Sequence, residues 1–239
     1  MAKFSFAVPV LPGKRGKLDE SVAYSRSHID EYTKSRERAG ITMERASVMQ
    51  TPMGEFVIPY VEGSKDFNGV TDAFRTGGEF DQWFLKMNSD ISGIDFTNAA
   101  MTPPEPEMVA EWIDPAVTQR KKGIAFCAPF APGKTEQARA FAKEAYVTRR
   151  AEFQESRRAV GVSQEIIFLN RTPNGDIACV YIEGDDPQAG NRKFAESRSA
   201  YDVWFKEECK KVFIPEIDFN EPLPPITVVW DWEAAKVAR

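Results

Sequence analysis

The sequence of 239 residues matches itself when it is shifted by 120 or 121 positions. The matches follow one another in the same order along nearly the whole chain, and several involve Trp, Gly or Pro. Self-similarity at a fixed period predicts a fold built from repeated units. The matching segments are Pro9–Lys14 with Pro129–Lys134, Ser35–Arg36 with Ser156–Arg157, Glu44 with Glu165, Thr51–Glu55 with Thr172–Asp176, Tyr60–Gly63 with Tyr181–Gly184, Asp81–Phe84 with Asp202–Phe205, and Trp112 with Trp232.

The repeat predicts two units, residues 1–114 and 121–239, joined by a polar, basic stretch. Each unit has the pattern strand, helix, strand, strand, helix, strand. Asn174-Gly175 lies between two apolar runs, which is a strong hairpin signal. In the first unit we predict strands at 3–10, 41–50, 55–62 and 107–113 and helices at 17–39 and 67–88. In the second we predict strands at 123–130 and 226–232 and helices at 135–160 and 188–211, with the hairpin between them.

This order of elements is the ferredoxin-like βαββαβ arrangement. Its antiparallel four-stranded sheet carries helices on one face only, so the other apolar face must be covered. With two units in one chain, the two sheets can face each other. The predicted fold class is therefore α+β, with two ferredoxin-like repeats forming one intramolecular α+β barrel.

The duplicated βαββαβ pattern resembles the dimeric α+β barrel superfamily, in a tandem form with both halves in one chain. That superfamily includes antibiotic-biosynthesis-type monooxygenases, polyketide cyclases, muconolactone isomerases, EthD-like and YCII-like proteins, and haem-binding relatives of chlorite dismutase. The fold alone does not select one of these activities. The resemblance implies a ligand cleft in each half, between the sheet and its helices.

The composition narrows the classes of partner. A formal net charge of -5 and a pI near 5.2 disfavour nucleic acid, because phosphate binding requires clustered positive charge. The longest apolar run is shorter than the roughly 20 residues of a membrane span. Three cysteines without CxxC spacing indicate no disulfide framework, so we expect a cytoplasmic protein. We expect a small-molecule ligand, and either a monomer or a homodimer.

His28 is the only histidine and lies on the first predicted helix. The second unit has Arg149 at that position, and a site in a duplicated protein often survives in one copy only. Arg26-Ser27-His28 also resembles YCII-like proteins, which pair a histidine with an aspartate, and Asp81 is the candidate partner. Such a pair would orient the imidazole for acid–base catalysis. The alternative is a surface histidine on an amphipathic helix.

Further candidates would line a cleft. Side chains two apart on a strand share a face, so Tyr60 and Glu62, and likewise Tyr181 and Glu183, point the same way near a strand end. Arg36 either complements the helix dipole or anchors an anionic substrate. The remaining candidates for substrate binding are Tyr24, Trp83 and Trp204, although aromatic residues on such helices also belong to cores.

Three functions remain open at this stage. The first is an enzyme acting on an apolar or aromatic molecule without a tightly bound cofactor, as a monooxygenase, cyclase or isomerase with His28 and Asp81 as catalytic residues. The second is a non-catalytic binding or assembly protein. The third is a haem protein with His28 as the iron ligand. One histidine and scattered cysteines do not supply the ligands of a zinc site, so no metal is expected.

Overall fold

The computed structural model describes residues 1–234, so the last five residues of the predicted second unit lie outside the described part. Antiparallel pairing of the strands generates two sheets, and the helices pack on them. The first half contains β1 (Ala2–Ser5), β2 (Val8–Pro9), α1 (Arg15–Ser27), α2 (Ile29–Arg38), β3 (Ile41–Thr51), β4 (Gly54–Gly63), α3 (Phe67–Arg75), α4 (Glu79–Ser92) and β5 (Glu107–Ile113). The second contains β6 (Lys122–Pro129), α5 (Thr135–Lys143), a π-helical turn (Glu144–Thr148), α6 (Arg150–Ala159), β7 (Val162–Asn170), β8 (Ile177–Gly184), α7 (Pro187–Glu196), α8 (Ala200–Val212) and β9 (Ile226–Glu233).

Both long predicted helices of each half are broken. The first long helix of the first half is interrupted at His28, and the corresponding helix of the second half is interrupted at Arg149. At both residues the backbone angles leave the helical region. A π-helical turn precedes the second of these breaks. In the first half the other predicted helix ends at Arg75, because Gly77-Gly78 follows shortly after it. In the second half Ser199 caps a new helix by accepting a hydrogen bond from the backbone N–H of Asp202.

The last strand of each half lies in the sheet of the other half. In the first sheet, β1 and β2 pair with β4, β4 pairs with β3, and β3 pairs with β9. In the second sheet the order is β5, β7, β8, β6. Sequence analysis expected the four strands of one unit to form one sheet, and that expectation is wrong for β5 and β9. Each half therefore depends on the other to complete its sheet.

The two sheets face each other across a buried interface. Ser47 of the first sheet accepts a hydrogen bond from the backbone N–H of Ala125 in the second, at 2.9 Å. The rings of Tyr60 and Tyr181 stack at a centroid distance of 3.6 Å. At one corner, Lys3 of β1 pairs with Glu111 of β5 and holds the sheet edges together. The α+β barrel architecture predicted from the sequence is thus confirmed.

A network of charges lies at one end of the sheet interface, where β4 and β8 end. Glu62 accepts from Tyr60, and Glu183 accepts from Tyr181, each at 2.6 Å. Arg120, from the stretch between the halves, donates to Glu62 at 2.6 Å and to Glu183 at 2.8 Å. Both carboxylates are buried, so a shared cation offsets part of the cost of removing them from water. The connecting stretch therefore ties the two sheets together.

Replacement of Arg120 tests this role. We expect Arg120→Ala to lower the free energy of unfolding by about 3 kcal/mol at pH 7, because buried Glu62 then lacks its cation, whereas Glu183 keeps Arg45 at 3.2 Å. Urea unfolding at pH 7 measures the loss.

Arg158→Ala is the matched control, because Arg158 also pairs with a carboxylate, Asp114, but is 47% exposed. Exposed pairs contribute roughly 0–1 kcal/mol. Equal losses in the two variants would contradict a special role for Arg120.

Candidate functional site

An apolar cavity lies in each half between the sheet and its helices, where the family resemblance placed a cleft. The first cavity has a volume of about 120 Å³, and the second about 90 Å³. The first is lined by residues including Val61, Phe67, Val70, Phe74, Phe84 and Trp230. The second is lined by residues including Phe126, Phe141, Val180, Phe194, Phe205 and Val212. These volumes are smaller than the roughly 300 Å³ at which drug-sized pockets begin.

One wall of the first cavity is polar. Glu44, on β3, and Tyr32, on α2, both line it. Glu44 Oε2 accepts from Tyr32 Oη and from Arg36 Nε, both at 2.7 Å. Glu44 Oε1 has only a longer contact with Arg36 Nη2, at 3.4 Å. The cluster therefore holds the carboxylate in place and leaves one of its oxygens weakly engaged.

Aromatic rings surround the buried guanidinium of this cluster. The Arg36 side chain is fully buried, and its Cζ lies 3.9 Å from the ring centroid of Tyr32 and 4.1 Å from that of Phe84. The flat guanidinium stacks on aromatic faces while its edge hydrogen-bonds to the carboxylate. Arg36 thus positions Glu44 and neutralises its charge inside an apolar wall.

The second cavity has a matching cluster with a different hydroxyl donor. Arg157 Nε donates to Glu165 Oε2 at 2.6 Å, and Arg157 Nη2 lies 3.3 Å from Oε1. Glu165 Oε1 also accepts from Tyr146, which lies in the π-helical turn. The position of Tyr32 is taken here by Phe153. Both oxygens of Glu165 are therefore engaged, unlike those of Glu44.

The tyrosines of both clusters remain protonated near neutral pH. Burial raises the pKa of Tyr32 and of Tyr146 well above the ordinary value, and the neighbouring carboxylates raise it further, although the arginines oppose this. A neutral phenol donates its hydrogen to the carboxylate and cannot act as a base. Any proton acceptor in these cavities must be the glutamate.

The predicted pair of His28 and Asp81 does not form, which corrects the sequence analysis. Asp81 is buried in the first turn of α4, where it accepts from Ser35 and Arg38. His28 lies at the break between α1 and α2, and its Nδ1 is 3.0 Å from the carbonyl oxygen of Tyr24. The imidazole stacks on the ring of Tyr24 at 3.8 Å. In the described part of the chain, neither residue lines either cavity.

Three further candidates belong to aromatic groups on the helices. Tyr24 is 40% exposed, and its ring stacks on His28 at 3.8 Å and on Trp83 at 4.2 Å. Trp204 lies beneath the guanidinium of Arg149, at 4.0 Å. Within residues 1–234, none of Tyr24, Trp83 and Trp204 is among the residues that line the two cavities. The haem alternative depended on His28, which the structure places outside both cavities.

The remaining candidates are buried but lie apart from the cavities or behind their walls. Tyr60, Glu62, Tyr181 and Glu183 face the sheet interface, and their polar atoms bond to one another and to arginines. The Tyr and Glu of each pair lie on the same face of their strand, as predicted, but that face points towards the opposite sheet and not into a cleft. Arg36 touches the site through Glu44.

Sequence reasoning missed Glu44, Glu165, Tyr32 and Tyr146 as site residues. A signal for the carboxylates was present, since Glu44 and Glu165 coincide in the self-match and each follows a matched arginine by eight positions. No such signal existed for the tyrosines, because they occupy different positions in the two halves.

The three cysteines are buried and unpaired, and no helix among residues 1–234 is long and apolar enough to cross a membrane.

Comparisons with known proteins support the fold. No protein-family model matches the sequence, and no curated protein matches it significantly. A crystal structure described as an "anthrone oxidase-like protein" superposes with a TM-score of 0.52 at 13% identity, covering 98% of this chain and 93% of that one. A "putative monooxygenase" from Lactobacillus acidophilus NCFM gives 0.52 at 10% identity, covering 97% and 95%. The chain is thus similar in fold to these proteins over both sheets.

Alkaline titration tests the burial of the tyrosines. Burial is the main reason why the pKa is raised in five of the six tyrosines: Tyr32, Tyr60, Tyr146, Tyr181 and Tyr201. Unfolded tyrosine titrates near pH 10. The folded state binds these protons more tightly, so their contribution to stability is complete below about pH 10 and is lost as the pH rises further. Absorbance at 295 nm should show these five ionising only together with unfolding; reversible ionisation near pH 10 with native circular dichroism would contradict the structure.

Proposed function

We propose that this protein is a small-molecule enzyme that oxygenates a compact apolar or aromatic compound in the first cavity, without a tightly bound cofactor. The observation that carries the proposal is an apolar cavity with a single carboxylate, Glu44, fixed in its wall and one oxygen of that carboxylate weakly engaged. Convergent polar groups in an otherwise apolar pocket are the usual form of a ligand site. The two similar structures, described as oxidase-like and monooxygenase, support the choice of oxygenation over cyclisation or isomerisation.

The size of the cavity favours a small substrate. An engineered cavity of about 150 Å³ in another protein accommodates benzene. A volume of about 120 Å³ therefore suits a single ring. A three-ring compound would require the helices over the cavity to move outwards.

Glu44 is the proposed proton acceptor. In a substrate whose methylene group lies beside a carbonyl, Glu44 removes one proton and leaves a carbanion that reacts with dioxygen. In the balanced overall reaction, R₂CH₂ + O₂ gives R₂C=O + H₂O, so the substrate supplies the electrons and one oxygen atom leaves as water. Arg36 and Tyr32 hold the carboxylate in position. The apolar lining excludes water from the carbanion.

A non-catalytic binding protein is the second candidate. The observation that favours it is that the tyrosine and arginine of each cluster are already bonded to the glutamate, which is also how a purely structural ion pair would look. In that case the cavities would bind an apolar molecule and leave it unchanged.

Oxygen consumption tests the proposal. With phenylacetone as the single-ring probe, which is neutral at pH 7 and has a methylene group beside its carbonyl, and anthrone as the larger one, we expect faster oxygen uptake with the smaller compound. Glu44→Gln should lower kcat at least about 100-fold, as is usual when a general base is removed. An oxygen electrode gives the rate, and mass spectrometry should find one oxygen atom from ¹⁸O₂ in the product.

Glu165→Gln is the matched control, because it disturbs an equivalent buried ion pair in the second cavity and should preserve most of the rate. Equal losses in both variants would point to a structural effect. Loss of the rate in His28→Ala, with Glu44→Gln still active, would return the catalytic role to His28. Binding without oxygen uptake would favour the second candidate.

We also infer that the two halves descend from one duplicated module, with units at 1–114 and 121–239. The support is that the same side-chain pairs recur in both halves. These pairs are Ser35–Asp81 and Ser156–Asp202, Arg36–Glu44 and Arg157–Glu165, and Tyr60–Glu62 and Tyr181–Glu183.

Expressing the units as separate chains tests this division. Because each unit supplies the last strand of the other's sheet, we expect residues 1–114 and 121–239 to form a one-to-one complex when co-expressed. Analytical ultracentrifugation gives the stoichiometry, and the same measurement on the intact chain separates a monomer from a homodimer. A unit that folds alone as a monomer would contradict the dependence of each sheet on the last strand of the other unit.

A further inference from the structure

The helical segment that leads to the helix break is one residue longer in the second half than in the first. In the first half α1 has 13 residues between Lys14 and His28. In the second half α5 has nine residues and the π-helical turn has five, between Lys134 and Arg149. The shift of the self-match changes from 120 to 121 positions along the same segment. A π-helical turn closes its hydrogen bonds one residue later than an α-helical turn, so it accommodates the extra residue.

The extra residue adds a side chain to the wall of the second cavity. In both halves the residues four, seven, eight and eleven positions after the lysine line the cavity: Leu18, Ser21, Val22 and Ser25 in the first half, and Ala138, Phe141, Ala142 and Ala145 in the second. At the twelfth position the second half has Tyr146, which also lines its cavity. Arg26, at the twelfth position in the first half, is not among the described residues that line the first cavity. Tyr146 is therefore the cavity side chain that the extra residue introduces.

Tyr146 also separates the second cavity from a groove on the surface. This groove runs between β5 and the helical segment, and its wall includes the exposed side chains of Met108 and Val147. Tyr146 is buried and lines both the groove and the cavity, as do Val109, Arg139 and Ala142. The Tyr146 hydroxyl donates to Glu165, and its ring lies 4.1 Å from that of Phe153. Both contacts hold the ring in the wall between the cavity and the groove.

An indole ring takes the corresponding place in the wall of the first half. Val229 and Trp230 of β9 line both the first cavity and a surface groove beside Arg26 and Ile29. The indole N–H of Trp230 has no hydrogen-bond partner in residues 1–234. The Trp230 ring can therefore turn without breaking a hydrogen bond, whereas movement of Tyr146 breaks a hydrogen bond to a carboxylate, which is the stronger kind. The two walls thus differ in how firmly their aromatic ring is held.

We propose that Tyr146 closes the second cavity to ring-sized molecules, so that each chain binds one such molecule, in the first cavity. The inference rests on the proposed function, because it takes the first cavity as the ligand site. The Tyr146 hydroxyl engages the carboxylate oxygen of Glu165 whose counterpart in Glu44 is weakly engaged. Removal of this one side chain is then sufficient to make the second cavity a second site for a compact apolar molecule.

Benzene is a suitable probe, because a cavity of about 150 Å³ in another protein binds it. Methyl ¹H–¹³C spectra report on each cavity separately, since Val61 and Val70 line the first cavity and Val180 and Val212 line the second. In the unmodified chain we expect benzene to shift the signals of the first pair only, and the titration to saturate at one molecule per chain. In Tyr146→Ala we expect both pairs to shift and the titration to saturate at two molecules per chain.

Tyr201→Ala is the matched control, because Tyr201 is another buried tyrosine of the second half but is not among the described residues that line either cavity. This variant should keep one molecule per chain. Tyr146→Leu is a second variant for the case that alanine prevents folding, since leucine keeps an apolar side chain but lacks the ring and the hydroxyl. It should also bind two molecules. Circular dichroism shows whether each variant is folded.

Shifts of Val180 and Val212 in the unmodified chain, or their absence in folded Tyr146→Ala and Tyr146→Leu, would overturn the role of Tyr146. Binding of two molecules by Tyr201→Ala would overturn it as well, because any loosening of the second half would then open the cavity. Shifts of the second pair in the Tyr146 variants without any shift of Val61 and Val70 would overturn the proposed function and leave the role of Tyr146 intact.

Discussion

Every feature of this structure depends on the need to cover an antiparallel sheet that has helices on one face only. The uncovered face is apolar and must be buried against another surface. Here the two sheets cover each other, and each accepts the last strand of the opposite half. Because the sheets cover each other and exchange their last strands, neither half is complete without the other. The first cavity is consequently a property of the whole chain, since its wall contains Phe4, Phe6 and Val8 and, more than 220 positions later, Trp230.

Buried ion pairs are placed where this architecture leaves space between the sheet and its helices. In each half an arginine near the end of the long helical segment reaches a glutamate near the start of the following strand, across the glycine that ends the helix. A buried ion pair is weak support for stability, because desolvation offsets much of the attraction. Its recurrence in both halves is better explained by orientation, since it fixes a carboxylate at the same point of each cavity wall.

The sequence predicted the helices and strands better than it predicted which strands pair. Gly40, Gly161 and the hairpin turns act locally, so the strand and helix boundaries near them follow from local rules. The exchange of β5 and β9 could not be predicted, because a strand carries no local mark of the sheet edge that it joins. His28 was misleading for a similar reason. A rare residue type attracts attention, yet at the break of the helix the imidazole stacks on Tyr24 and does not bond to Asp81, and spacing along a regular helix could not predict that break.

The differences between the halves are more informative about function than their similarities. Residues shared by both halves, such as Ser35 and Asp81 with Ser156 and Asp202, bond to each other and hold helices together. Around the cavities, by contrast, the two sheets differ: the first has Trp230 where the second has Ala110. Tyr146 engages the second oxygen of Glu165, whereas Glu44 Oε1 has only a contact of 3.4 Å with Arg36. The two cavities therefore share an ion pair and differ in how fully its carboxylate is hydrogen-bonded, and this difference separates the two walls chemically.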